Sequence, residues 1–318
     1  MNQNLPQEIQ NEFLHFKEKY IDICVKGGSS REEAEARLNT FLKLIQEQVE
    51  SPFKFPYLHK AALTPFDFFS FGQEMLRPLI NFTQSKIKGL ENLRSIENFL
   101  QQGHNVVIFS NHQAEADPIV ISLLLEDIAP ELSKNMIYVA GHRVTHDPMA
   151  IPFSLGRNLI CIYAKKYINN PPEQKQEKMF HNVRAIKATE HMLTEGGKCI
   201  YIAPSGGRDR KNPDGSVSLS TFDPDSIDLF ALLAKKSKTP CHFFSLALWT
   251  YSILPPPETT KEDLGEERNI FFAPCHLFVG KEIDMHAFDA LPKKELSEQR
   301  AASIYAQTLH NYKEIIDE

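Results

Sequence analysis

HNVVIFSNHQAEADP, residues 104–118, joins a short apolar run to a polar turn and then to a helix start. Val106, Val107, Ile108 and Phe109 follow one another without alternation, the pattern of a strand buried on both faces. Asp117-Pro118 supplies an N-cap and a proline at the first helical position for the apolar residues 119–125. Neighbouring segments repeat this strand–turn–helix order. Strand-like runs lie at 105–110, 135–140, 158–163, 198–203, 241–249 and 270–278, and helical patterns at 90–102, 118–127, 172–194, 223–236 and 292–316. Strands interleaved with helices over 250 residues predict an α/β fold, a mostly parallel sheet covered by helices on both faces.

Upstream the pattern changes. Residues 6–26 hold Ile9, Phe13, Phe16 and Ile21 at helical spacing and end at Gly27-Gly28. Ser30 and Glu33 form a capping box for a second helix with Ala34, Leu38, Phe41, Leu42 and Ile45 on its apolar face. Pro52 and Pro56 then sit among aromatics in an extended connection, and Thr64-Pro65 predicts a helix start that reaches toward Phe82. The reading is a small all-helical domain over 1–60 and an α/β domain over 61–318.

Composition narrows the function classes. The 318 residues carry 35 Lys and Arg against 41 Asp and Glu, a net charge of −6 that favours neither nucleic acid nor an anionic membrane. Any anion site must therefore be local. Cys24, Cys161, Cys199, Cys241 and Cys275 are odd in number and widely spaced, as reduced core thiols in a reducing compartment would be. The N-terminus shows no targeting pattern, and the longest apolar run, near 243–254, is shorter than the ~20 residues that span a bilayer. A soluble protein follows, touching a membrane surface at most transiently.

Three loops hold the chemistry. His112 lies in the turn after the strand ending at Ser110, where sites of open α/β sheets collect. Asp117, five residues on, can fold back onto one imidazole nitrogen and leave the other as a base, although a plain helix cap and a solvated histidine explain the spacing too. In YIAPSGGRDR, 201–210, Gly206 and Gly207 shape a sharp loop, and Arg208 and Arg210 offer forked donors to a phosphate or carboxylate. The plainer reading is an ion-pair chain around Asp209. Lys165, Lys166 and Tyr167 directly follow a third strand. If these three strands lie side by side and parallel, His112, Lys166, Arg208 and Arg210 surround one crevice. His142, Arg143, His146 and Asp147 raise a metal site, but Asp147-Pro148 interrupts a helix there and a polar loop is the better reading, so no metal is assigned.

With these segments in place, the chain resembles the soluble glycerol-3-phosphate acyltransferases of plastids and certain bacteria, within the wider glycerolipid acyltransferase superfamily. FSNHQAEADPIVISLLLE (109–126) is similar to the family's H-x-x-x-x-D block. DPMAIPFSLGRNLICIYAKKY (147–167), YIAPSGGRDR (201–210) and HFFSLALWTYSILPPP (242–257) resemble the three blocks that follow. The resemblance implies transfer of a fatty acyl group from acyl carrier protein or coenzyme A to the sn-1 hydroxyl of glycerol 3-phosphate, giving lysophosphatidate without a bound cofactor. His112 would be the base, Asp117 its orienting carboxylate, and Lys166, Tyr167, Arg208 and Arg210 the phosphate ligands. The plastid enzymes carry histidine where this chain has Tyr167, a neutral phenol that donates a hydrogen bond but adds no charge. The implied location is the bacterial cytoplasm or, for a mature plant form, the plastid stroma. Other readings are acylation of another phosphorylated acceptor such as lysophosphatidate, a metal-dependent phosphohydrolase, and a non-catalytic lipid- or carrier-binding module.

Overall fold

The structure, a computed structural model, describes residues 5–257 and 267–316, apart from the side chain of Lys166. It opens with helices α1 (Gln7–Lys26) and α2 (Arg31–Glu50), the latter started by the reciprocal Ser30–Glu33 capping box. Their inner faces meet through Phe13, Phe16 and Phe41. Phe41 continues into the α/β body, 6.1 Å from Phe71 and 5.1 Å from Phe153 between ring centroids, so the helical pair and the body share one aromatic core.

The sheet has eight strands. In chain order these are β1 (Leu58–His59), β2 (Lys86–Lys88), β3 (Asn105–Ser110), β4 (Ile137–Gly141), β5 (Asn158–Ile162), β6 (Cys199–Ile202), β9 (Cys241–Trp249) and β10 (His276–Glu282), with β7 (Arg210–Lys211) and β8 (Val217–Ser218) forming a separate hairpin. Spatial order is β1-β5-β4-β6-β3-β9-β10-β2. The five central strands from β5 to β9 run parallel; β1 adds antiparallel at one edge, and toward the other β10 turns antiparallel to β9 and carries the edge strand β2 parallel to itself. Successive residues of β3 serve opposite faces. Val106 and Ile108 join one core, and Val107 and Phe109 the other. Helices α3 (Phe68–Leu76), α4 (Leu90–Gln101), α5 (Asp117–Leu125), α6 (Pro130–Asn135) and α7 (Ile151–Leu155) accompany the first core. α9 (Lys175–Thr194), α10 (Pro224–Ser237) and α11 (Lys293–Ile316) cover the second, and the short α8 (Lys165–Ile168) follows β5. The α/β sheet covered on both faces is thus observed. All five cysteines are unbridged, and Cys24, Cys161, Cys199 and Cys275 are buried.

Several boundaries differ from expectation. The helix anticipated at Thr64-Pro65 begins at Phe68, because the Asp67 carboxylate accepts the Ser70 amide at 3.0 Å and caps it; Pro78 breaks the helix into a 3₁₀ turn (Arg77–Leu79) before Phe82. The strand expected from 270 starts only at His276, since Pro274 has no N–H to give a ladder. Strands β1 and β2 are too short for a periodic signal.

Candidate active site

Parallel strands end on one edge, so the loops after β5, β4, β6, β3 and β9 gather there. The strands ending near residues 110, 163 and 203 are parallel, but they are not all neighbours. β4 separates β5 from β6, which puts the loop after β5 three strand spacings, about 14 Å, from that after β3. Between them stands the loop beginning at His142 and Arg143.

After β3, His112 Nδ1 lies 2.7 Å from Asp117 Oδ2. Asp117 is fully buried, and its carboxylate also accepts the amides of Gln113 (2.9 Å) and Ala114 (3.0 Å) and the Thr250 hydroxyl (2.5 Å). These donors explain a departure from the expected N-cap. Ala116 holds the cap position and Asp117 is the first helical residue, its side chain turned back into the preceding turn. A carboxylate can only accept, so Nδ1 carries the proton and Nε2 keeps a lone pair. The His112 side chain is 30% exposed, and among the described residues nothing hydrogen-bonds Nε2.

The turn is braced from beneath. Asn111 exchanges hydrogen bonds with the backbone of Leu248 on β9, extending the β3–β9 pairing by one residue, while Tyr201 on β6 donates to the Asn111 carbonyl. Asp209 turns inward. Its amide donates to the His112 carbonyl at 2.6 Å, and its carboxylate accepts Asn111 (3.0 Å), Gln113 (3.3 Å) and the Ser220 amide (2.8 Å). Burial pushes this carboxyl above its ordinary value, and those donors together with His112 pull it back in part. Gly206 takes a left-handed conformation (φ 63°), which lets the chain turn sharply after β6, and the charge of Arg208 in the same loop acts on Glu115. Arg210, at the start of β7, donates to the Pro257 carbonyl at 2.7 Å.

Across the edge, Lys165 pairs with Asp223 and Asp225 at 2.9 and 2.8 Å. Lys166 contributes backbone to α8, and its side chain lies outside the described residues. The Tyr167 ring stands edge-on to His142, 4.6 Å between centroids. His146 Nδ1 donates within its own turn to the His142 carbonyl at 2.7 Å. The apolar runs 149–155 and 243–254 are largely buried.

One constellation was not foreseen. Glu115, inside the His112–Asp117 turn, meets Arg268 Nε and Nη2 at 3.0 Å each, and Arg268 also reaches Asp147 (2.8 Å) and Glu12 on α1 (3.5 Å). Burial would raise the Glu115 carboxyl, but Arg268, with Arg208 and Arg143 in the same field, holds it below its ordinary range. Arg268 lies 153 residues from Glu115, in a stretch crowded with acidic residues, and no local signal links the two.

This arrangement can take a proton from a hydroxyl at Nε2, with cations on the neighbouring loops. The acyltransferase family matches residues 84–248. Relatives include the chloroplastic glycerol-3-phosphate acyltransferases of Cucurbita moschata (40% identical over 313 residues, covering 97% of this chain and 68% of the relative) and Arabidopsis thaliana (39% over 294 residues, 92% and 63%). That of Spinacia oleracea is 39% identical over 279 residues, covering 87% and 58%.

Proposed function

Because the chain belongs to the acyltransferase family, among the plastid-type glycerol-3-phosphate acyltransferases, we propose that His112 and Asp117 run acyl transfer to glycerol 3-phosphate. The enzyme acylates glycerol 3-phosphate and makes lysophosphatidate. Asp117 holds the imidazole with Nδ1–H toward it, and Nε2 removes the proton from the sn-1 hydroxyl. The alkoxide oxygen attacks the thioester carbonyl of the donor. Collapse of the tetrahedral adduct breaks the C–S bond, and the imidazolium returns its proton to the leaving thiolate, so no covalent enzyme intermediate forms.

Arg208, Arg210, Lys166 and Tyr167 take the substrate phosphate in this reading, with Gly206 and Gly207 shaping the loop that presents the arginines. Support comes from the loops' common edge of the sheet. The donor is acyl carrier protein or coenzyme A. Residues 1–60 act as the small helical domain and 61–318 as the catalytic one. The relatives are chloroplastic, which fits a plastid protein, with the stroma or a bacterial cytoplasm as the specific location. No helix among the described residues is long and apolar enough to cross a membrane.

The observation that carries the reading is the His112–Asp117 contact on a buried, four-donor carboxylate. Its test is acyl transfer from fatty acyl carrier protein to glycerol 3-phosphate without added metal. Lysophosphatidate from the natural protein, none from His112→Ala, and a raised glycerol 3-phosphate requirement in Arg208→Ala are expected. No product with either thioester donor overturns it.

A further inference from the structure

The four-residue cluster around Arg268 joins parts of the chain that are otherwise far apart. Arg268 brings together Glu12 of α1, Glu115 of the His112–Asp117 turn and Asp147, whose other oxygen accepts the Met149 amide at 2.9 Å just before α7. All four side chains are largely buried, with between 9% and 18% exposure. The neighbouring residues reinforce the tie to α1. Asn269 Oδ1 lies 2.9 Å from His15 Nε2 and also accepts Lys19, so Glu12, His15 and Lys19, one face of α1, all address residues 268–269. Three residues further on, the Phe271 amide donates to the Ile253 carbonyl, in the loop that also presents Thr250 to Asp117.

We propose that Arg268 is a positioning residue: its guanidinium holds Glu115, and through it the turn between His112 and Asp117, against α1 and the segment leading into α7. This rests on the reading of His112 as the base. Geometry favours arginine for the task. Nε and Nη2 meet the two Glu115 oxygens as a fork, which fixes the carboxylate in direction as well as distance, and Nη1 and Nη2 still reach Glu12 and Asp147. Glu115 lies two residues before Asp117, and the amides of Gln113 and Ala114 that bind Asp117 belong to the same turn. A shift of Glu115 therefore changes the seat of the carboxylate that orients His112.

Lysine keeps the charge but loses the fork, so Arg268→Lys is the informative variant. Arg300 serves as its control: its side chain is also 11% exposed and pairs with Asp228 at 3.0 Å, with α10 and α11 on the opposite face of the sheet. In Arg268→Lys, kcat is expected to fall about 10–100-fold, as for groups that orient a catalytic residue, with KM for glycerol 3-phosphate within threefold. The NMR titration midpoint of His112 should move as well, a readout independent of turnover, while Arg300→Lys leaves both unchanged. Glu12→Gln, which removes the Glu12 charge facing Arg268, provides the decision where Arg268→Lys does not fold, and should lower kcat about threefold with the same displacement of the His112 midpoint. Turnover by the natural protein with unchanged kcat and unchanged His112 titration in the folded variants overturns the proposal. Absence of turnover in the natural protein overturns the acyltransferase reading instead, and the His112 titration still decides the role of Arg268.

Discussion

Two histidine–carboxylate pairs occupy opposite edges of the same sheet. His112 and Asp117 meet at 2.7 Å beyond the carboxyl end of β3; His242 and Glu282 meet at 2.6 Å near the start of β9. Distance alone makes them equals. Their surroundings do not: Asp117 is fully buried with three further donors, whereas Glu282 is 47% exposed. The second nitrogen differs too. His242 Nε2 is 3.0 Å from His104 Nδ1, and Phe99 stacks 3.5 Å from the ring, so both His242 nitrogens are engaged. No hydrogen bond to His112 Nε2 occurs among the described residues. A dyad becomes a base when its carboxylate is held by the fold and its outer nitrogen is left to the crevice.

The strongest way to break that comparison is to delete each imidazole. His112→Ala should lower acyl-transfer kcat at least ~10³-fold, since general-base catalysis contributes about 10²–10⁴. His242→Ala should stay within about twofold of the natural kcat, because it lies near the start of β9, at the opposite end of the parallel strands from His112. Equal losses in the two variants would mean that the edge has been misassigned. Next in size is the carboxylate. Asp117→Asn puts an NH₂ group among donors and favours the wrong imidazole tautomer, a change expected to cost about 10²–10⁴ in kcat. Glu282→Gln should leave turnover untouched, and steady-state kinetics on the two variants side by side would show it.

Much of this contrast was legible in the chain itself. The apolar run into S-N-H, the Asp-Pro helix start and the paired glycines before Arg208 are local features, and each stands where local chemistry put it. Sheet order was not legible, because β3, β4 and β5 read alike as buried strands and nothing in them says that β4 leaves a place which β6 later fills. The expected adjacency fails there: the loop beginning at His142 and Arg143 stands between the loops after β5 and β6. Asp117 as an N-cap failed for a related reason. Helix-start statistics reward a carboxylate that reaches forward; the alternative that the spacing also offered, Asp117 folded back onto His112, is the one observed, and Thr250, 133 residues away, adds a donor with no local signal. Arg268 is the extreme case, a contact between distant segments with no periodic or motif signal.

A smaller effect sharpens the same contrast from the carboxylate's side. Thr250→Val removes one of the four donors to Asp117 while keeping the volume of the side chain close. Loss of a hydrogen bond to a buried carboxylate is expected to destabilise the fold by about 1–3 kcal/mol. kcat should fall several-fold rather than a thousandfold, because three donors, His112 among them, still aim the group. Urea unfolding and steady-state kinetics on one preparation separate the two consequences. Full loss of activity with unchanged stability would show that Thr250 acts on the substrate and not through Asp117.

The smallest effect concerns an imidazole with no carboxylate. His59 is buried at the β1 edge, with Nε2 3.1 Å from the Leu155 carbonyl. Burial lowers its pKa below the ordinary 6.5, and the carbonyl recovers only part of that. In the window below 6.5 the unfolded chain binds a proton that the folded chain refuses, so acid favours unfolding. The contribution is complete above 6.5 and is lost as pH falls through the folded value. His276, also lowered by burial and by Lys86, acts in the same direction. The urea midpoint of the natural protein should therefore drop more between pH 7.5 and 5 than that of His59→Gln, whose amide can still donate to Leu155 but takes no proton. Identical drops would remove His59 from the acid response.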